Sequence, residues 1–139
     1  MTSLRALLDG VFEELRLHEG YARRWGARLD AGPSDATLAY TDFLLRVAWS
    51  EPVGHVLAAM TPCMRLYAHL GHELSADADP AGPYHEWVEA YADPEFHALA
   101  DRMGALLDEH DDGSDVVASH YRTAMRRELA FFDQAAVTG

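Results

Sequence analysis

The chain has 139 residues, enough for one compact domain and not obviously for two. A formal net charge of −12 argues against a nucleic-acid partner and against an acidic membrane surface, since both need clustered cations. Eleven arginines and no lysine exclude Schiff-base chemistry and a P-loop, and the single cysteine, Cys63, cannot form an intrachain disulfide.

The hydrophobic pattern is helical throughout, broken at Gly, Pro and Asp clusters. The first helix is expected over Ser3–Trp25, with Leu4, Leu7, Leu8, Val11, Leu15 and His18 on one side. It is amphipathic and acidic and lacks the uninterrupted apolar stretch of a signal peptide. The second spans about Ala36–Trp49, with Tyr40, Leu44, Val47 and Ala48 at helical spacing. The third runs from about Pro52 to Ser75 on the stripe Val56, Met60, Cys63, Tyr67, Leu70 and Leu74. Pro62 lies inside this helix beside the only thiol, a defect of about 3 kcal/mol in a helix interior. A short helix, Tyr84–Tyr91, carries Tyr84, Trp87, Val88 and Tyr91 at i, i+3, i+4 and i+7. Asp93-Pro94 begins another that reaches about His110, with proline in its first turn. After the turn Asp111-Asp112-Gly113-Ser114, with Ser114 as cap, a last helix runs to about Ala136. No segment has a β period and no window approaches a membrane span. The expected fold is a single all-α helical bundle over residues 1–139, with the cytoplasm as its default location.

Chemistry can be sought where polar groups interrupt apolar faces. The last helix has the stripe Val117, Tyr121, Met125, Glu128 and Phe132, and Glu128 occupies a place that asks for an apolar residue. A carboxylate there must find a partner or favour its protonated form, which suits a general acid. A slightly rotated helix with Glu128 at its boundary is the plainer alternative. Tyr40, Tyr67 and Tyr91 also fall on core-facing stripes, and Tyr67 lies one turn beyond Cys63 on the same face. Three tyrosines, a thiol and a carboxylate could line a pocket for a flat heteroaromatic ligand.

Five segments, in order, resemble motifs of the TenA/thiaminase II family, which has the haem-oxygenase-like helical fold. Glu14-Leu15-Arg16-Leu17-His18-Glu19-Gly20-Tyr21-Ala22 resembles Glu-x-x-x-His-x-x-Tyr-Ala, and Thr37-Leu38-Ala39-Tyr40-Thr41 resembles Thr-x-Ala-Tyr-Thr. The run Met60-Thr61-Pro62-Cys63-Met64-Arg65-Leu66-Tyr67-Ala68-His69-Leu70-Gly71 is similar to Leu-x-Pro-Cys-x-x-x-Tyr-x-x-x-Gly. The run from Pro83 through Tyr84 and Trp87 to Tyr91 is similar to Pro-x-Tyr-x-x-Trp-Ile-x-x-Tyr, and Glu128-Leu129-Ala130-Phe131-Phe132 to a Glu followed by x-x-Phe-Trp. The resemblance implies hydrolysis of an aminopyrimidine in thiamin salvage, aminomethyl-pyrimidine or thiamin giving hydroxymethyl-pyrimidine. It implies Cys63 as nucleophile, Glu128 as acid, and Tyr40, Tyr67 and Tyr91 as pocket walls, with no metal and no organic cofactor. It also implies an N-terminally shortened chain. Family members begin with further helices carrying an Asp that grips the aminopyrimidine, and no segment here resembles that motif. A homo-oligomer, or a partner chain supplying those helices, is expected on that basis. Two other classes compete: a non-catalytic or fragmentary binding protein on the same fold, and a di-metal oxidase using Glu14/His18 and His69/His72/Glu73.

Overall fold

The computed structural model describes residues 2–136, with six helices in chain order. They are α1 (Thr2–Trp25), α2 (Asp35–Ser50), α3 (Val53–Ser75), α4 (His85–Ala92), α5 (Pro94–His110) and α6 (Asp115–Ala136). No strand occurs among the described residues, and no described helix is long and apolar enough to cross a membrane. The chain divides into two compact units, residues 1–33 and 34–139.

The first unit is α1 and the loop after it. Leu8, Val11 and Leu15 of the expected stripe are exposed, as is Phe12 beside them. The expected positions Leu4 and Leu7 have side chains outside the described residues.

The second unit is built around α3, which packs against α2, α4, α5 and α6. Local chemistry sets its helix ends. Ser34 caps α2 by accepting the Thr37 N–H, and Asp93 caps α5 by accepting the Glu95 N–H, with Pro94 at the start. Pro52 holds Glu51 in extended backbone between α2 and α3, so only two residues separate these helices.

The helix α3 runs unbroken through Pro62. Beside it, the Thr61 hydroxyl donates to the Leu57 carbonyl at 2.7 Å. Its buried residues are mostly small: Gly54, Ala58, Ala59, Thr61, Ala68 and Gly71. Small residues let neighbouring backbones come close. A Cβ on Gly71 would overlap the Tyr91 carbonyl of α4, and one on Gly54 would overlap the His110 carbonyl of α5.

Two stripes read from the sequence prove displaced from the core. Met60 and Leu74 are exposed, and Val56, Cys63, Tyr67 and Leu70 are half-buried. The face they mark is therefore not the buried side of α3, which is the close-packed one lined by glycine and alanine. In α6 the buried line is Val117, His120, Ala124 and Glu128, while Met125 and Phe132 are exposed. Glu128 lies on the buried line all the same. The central core cluster joins Phe43 and Val47 of α2, Ala59 of α3 and Ala124 of α6, with Tyr40, Leu44 and Val56 against it.

Candidate active site

Four of the five expected site residues come from three helices packed on one another, and the fifth stands on α4. Tyr40 is on α2, Cys63 and Tyr67 on α3, Tyr91 on α4 and Glu128 on α6. Glu128 is 1% exposed, the largest fully buried side chain among the described residues. The Tyr40 hydroxyl donates to Glu128 Oε1 at 2.7 Å, 88 residues away in sequence. The other carboxylate oxygen, Oε2, is buried with no hydrogen-bond partner. Buried polar atoms nearly always have partners, so an orphan on a carboxylate marks a place where a ligand donor would bind.

Burial is the first cause that raises the Tyr40 pKa far above its ordinary value of about 10. The hydrogen bond to Glu128 is second, and the nearby Cys63 and Tyr67 add to it. Tyr40 therefore stays a hydrogen-bond donor at any biological pH. Cys63 is half-buried, in the same neighbourhood as Tyr40.

The aromatic wall continues from α3 to α4. Tyr67 meets Tyr91 edge-on with ring centroids 4.9 Å apart. Tyr67 also lies 5.8 Å from Trp87 and 5.9 Å from Phe132, ring to ring. These two rings belong to the wall as much as the tyrosines do. The sequence contained a signal for both, since Trp87 is one turn before Tyr91 and Phe132 one turn after Glu128.

The sign of the Tyr40 shift gives a prediction. A folded-state pKa raised above the unfolded value means that the stabilisation is complete below about pH 10 and is lost as pH rises beyond it. Wild type should lose thermal stability more steeply between about pH 9 and 11 than Tyr40→Phe, followed by melting temperature. Parallel curves for the two proteins would contradict the assignment.

A different polar cluster bridges the far end of the same α2–α6 contact, and sequence reasoning missed it. Glu51, at the end of α2, accepts hydrogen bonds through Oε2 from His120 Nε2 at 2.5 Å and His55 Nδ1 at 2.9 Å. Its Oε1 faces Arg46 Nη1 at 3.0 Å, and His55 Nε2 faces Asp112 Oδ2 at 3.1 Å. The bond with His120 first, then those with His55 and Arg46, hold the Glu51 carboxylate down at about 2. The hydrogen bond to Glu51 is the first cause that raises His55. Two signals were present: Glu51 and His55 at i, i+4, and His120 three residues after Val117 on one face of α6.

The metal ligands considered from the sequence fall elsewhere. Glu14 and His18 stand 3.9 Å apart on α1, both substantially solvent-accessible. His69 and His72 line an open groove of about 450 Å³ with Arg65, His97 and Asp101, which shares no residue with the Cys63–Glu128 site.

The helices thus bring together a buried Tyr–Glu pair, a half-buried thiol and a cluster of aromatic rings. Residues 1–134 match the model of the TENA/THI-4/PQQC family, and the chain belongs to that family. It is 35% identical to the aminopyrimidine aminohydrolase of Halalkalibacterium halodurans, over 97% of this chain and 66% of that protein. It is 30% identical to the mitochondrial bifunctional TH2 protein of Arabidopsis thaliana, over 91% of this chain and 25% of that protein. A solved TenA homologue from P. horikoshii OT3 superposes with a TM-score of 0.83 at 26% identity, over 94% of this chain and 65% of that one. The chain thus spans just under two thirds of the Halalkalibacterium and P. horikoshii proteins and a quarter of the plant protein. The helices have the all-α, haem-oxygenase-like arrangement of that family.

Proposed function

We propose that this chain contributes the nucleophile and the acid of an aminopyrimidine aminohydrolase that serves thiamin metabolism. The observation that carries the proposal is the buried Glu128, held through one oxygen by Tyr40 and unpartnered at the other, with Cys63 and the Tyr67–Tyr91 wall beside it. The relatives named above support the substrate class.

The residues divide the work as follows. Glu128 Oε2 faces the heteroaromatic edge of an aminomethyl-pyrimidine and delivers a proton to a ring nitrogen. The Cys63 thiolate adds to a ring carbon, and the protonated ring accepts the electron pair. The resulting dihydropyrimidine expels the exocyclic amine, which leaves as ammonia with a proton. Water adds to the methylene carbon, the bond from sulfur to the ring breaks, and aromaticity returns with hydroxymethyl-pyrimidine. The sum is one amine and one water converted to one alcohol and one ammonia. Tyr40 holds Glu128 in place, and Tyr67 and Tyr91 flank the ring face, where aromatic contact favours a flat π-system. Free thiols near pKa ~8.5 are only slightly ionised at neutral pH, so the site must also favour the thiolate.

Cys63→Ser should lower aminopyrimidine hydrolysis roughly 10³-fold or more while leaving the far-UV circular dichroism of the helices unchanged. Retained turnover in that variant would remove Cys63 from the mechanism.

The same reading has the protein act in the cytoplasm as a homo-oligomer. Large apolar side chains stand exposed on α2 and α6, among them Trp49, Leu45 and Leu129. Sedimentation at micromolar concentration should show an assembly larger than one chain, and a stable monomer would contradict it.

A further inference from the structure

The cluster at the end of α2 has no part in the chemistry above, and its geometry is that of a metal-binding group. Glu51, His55 and His120 each offer one ligand atom, and those atoms all lie within 4.8 Å of one another. They come from three elements: the α2–α3 joint, the first turn of α3 and the second turn of α6. We propose that Glu51 Oε2, His55 Nδ1 and His120 Nε2 form a site for one divalent transition-metal ion of the zinc class per chain.

Two independent features beyond proximity support the site. The first is that the supporting hydrogen bonds around the ligands are already in place. Metal-bound histidines characteristically donate their other ring N–H to a carboxylate, which fixes the ring and raises its basicity. His55 does so in this structure, Nε2 to Asp112 Oδ2 at 3.1 Å. The non-ligating oxygen of Glu51 is likewise held, by Arg46 Nη1 at 3.0 Å. The second is that the backbone fixes the carboxylate. Pro52 forces the preceding residue into extended conformation, and Glu51 has φ −129 and ψ 159. The ring of Phe43, 5.6 Å from His120, closes the core side of the site.

The distances fit after a small relaxation. Bonds of about 2.0–2.1 Å at tetrahedral angles place ligand atoms about 3.3 Å apart. Glu51 Oε2 now stands 2.9 Å from His55 Nδ1 and 2.5 Å from His120 Nε2, so each ring retreats by less than an ångström. Both ring nitrogens of His55 face carboxylate oxygens. The ion takes the place of the hydrogen on His55 Nδ1, which leaves as a proton, and it binds His120 in the tautomer that carries its hydrogen on Nδ1. The His55 Nε2–H keeps its bond to Asp112. A two-imidazole, one-carboxylate set with one position left for water suits Zn²⁺, Co²⁺, Ni²⁺ or Fe²⁺ rather than Ca²⁺ or Mg²⁺. The bound ion ties the α2–α3 joint to α6, the helix that bears Glu128 eight residues further on.

The test uses the full chain without a histidine tag, stripped with chelator and titrated with Co²⁺ alone. A visible d–d band should saturate at one equivalent per chain and be displaced by Zn²⁺. Glu51→Gln and His120→Gln should remove the band, and His72→Ala, on the exposed groove, should leave it intact. Asp112→Asn, at a largely exposed position, should weaken Co²⁺ binding about 10- to 100-fold with unchanged helical content. No band at one equivalent, or a band that survives in folded Glu51→Gln or His120→Gln, would overturn the site. Should those two variants fail to fold, Asp112→Asn decides the matter, and unchanged affinity in it would overturn the site equally.

Discussion

Glu128→Gln should lower aminopyrimidine hydrolysis by roughly 10²- to 10⁴-fold, the range of a lost general acid–base group, with little change in stability. The two halves of that result have separate causes. An amide cannot deliver the proton that the ring nitrogen needs when the thiolate adds. Yet its carbonyl oxygen can still accept the Tyr40 hydroxyl, which now bonds Oε1 at 2.7 Å. The substitution also takes an acidic group out of a position that is 1% exposed. Its cost is the new amide N–H₂ where Oε2 has no partner, so stability should stay within about 1 kcal/mol of wild type. Turnover rates and chemical denaturation of both proteins provide the comparison. Wild-type turnover in the variant would sink the acid role, and a large stability loss would show that Glu128 has structural partners at both oxygens.

Gly71→Ala should cost about 3 kcal/mol, roughly 10 °C in melting temperature for a chain of this length, and most of the activity as well. An added Cβ would overlap the backbone carbonyl of Tyr91, and the adjoining Ala92 nitrogen is also within reach. Backbone cannot yield as a flexible side chain can, so α4 must move away from α3. Tyr91 moves with it and leaves its edge-on contact with Tyr67 at 4.9 Å. Gly20→Ala makes a control, since nothing lies within 4 Å of a Cβ there. Unchanged melting and turnover in Gly71→Ala would show that α4 is not fixed by this crossing.

Much of this arrangement is legible in the residue pattern. The helices fall within one or two residues of their expected spans because Ser34, Pro52, Asp93 and Pro94 are strong local punctuation. The Cys63–Tyr67 line was visible too, as an apolar stripe that proves half-buried. Helical periodicity records that a face is apolar without distinguishing a packed interface from a ligand-facing wall. The real packing face of α3 is written in Gly54, Ala58, Ala59 and Gly71, whose small size carries little hydrophobic signal. For α6, Met125 and Phe132 drew the expected stripe toward themselves, while the buried line passes through His120 and Ala124. The Glu51 cluster was readable only in pieces. Its partners Arg46 and His55 are near in sequence, but His120 is 69 residues away, and only the antiparallel contact of α2 with α6 unites them.

The central claim, that Cys63 and Glu128 carry out hydrolysis at an aminopyrimidine, is tested most directly by product analysis in ¹⁸O-labelled water. The protein, incubated with aminomethyl-pyrimidine, should release ammonia and hydroxymethyl-pyrimidine in equal amounts, with one ¹⁸O in the hydroxymethyl group, and Cys63→Ser should release neither. Absence of turnover in the wild-type protein, or an alcohol product without the label, would contradict it.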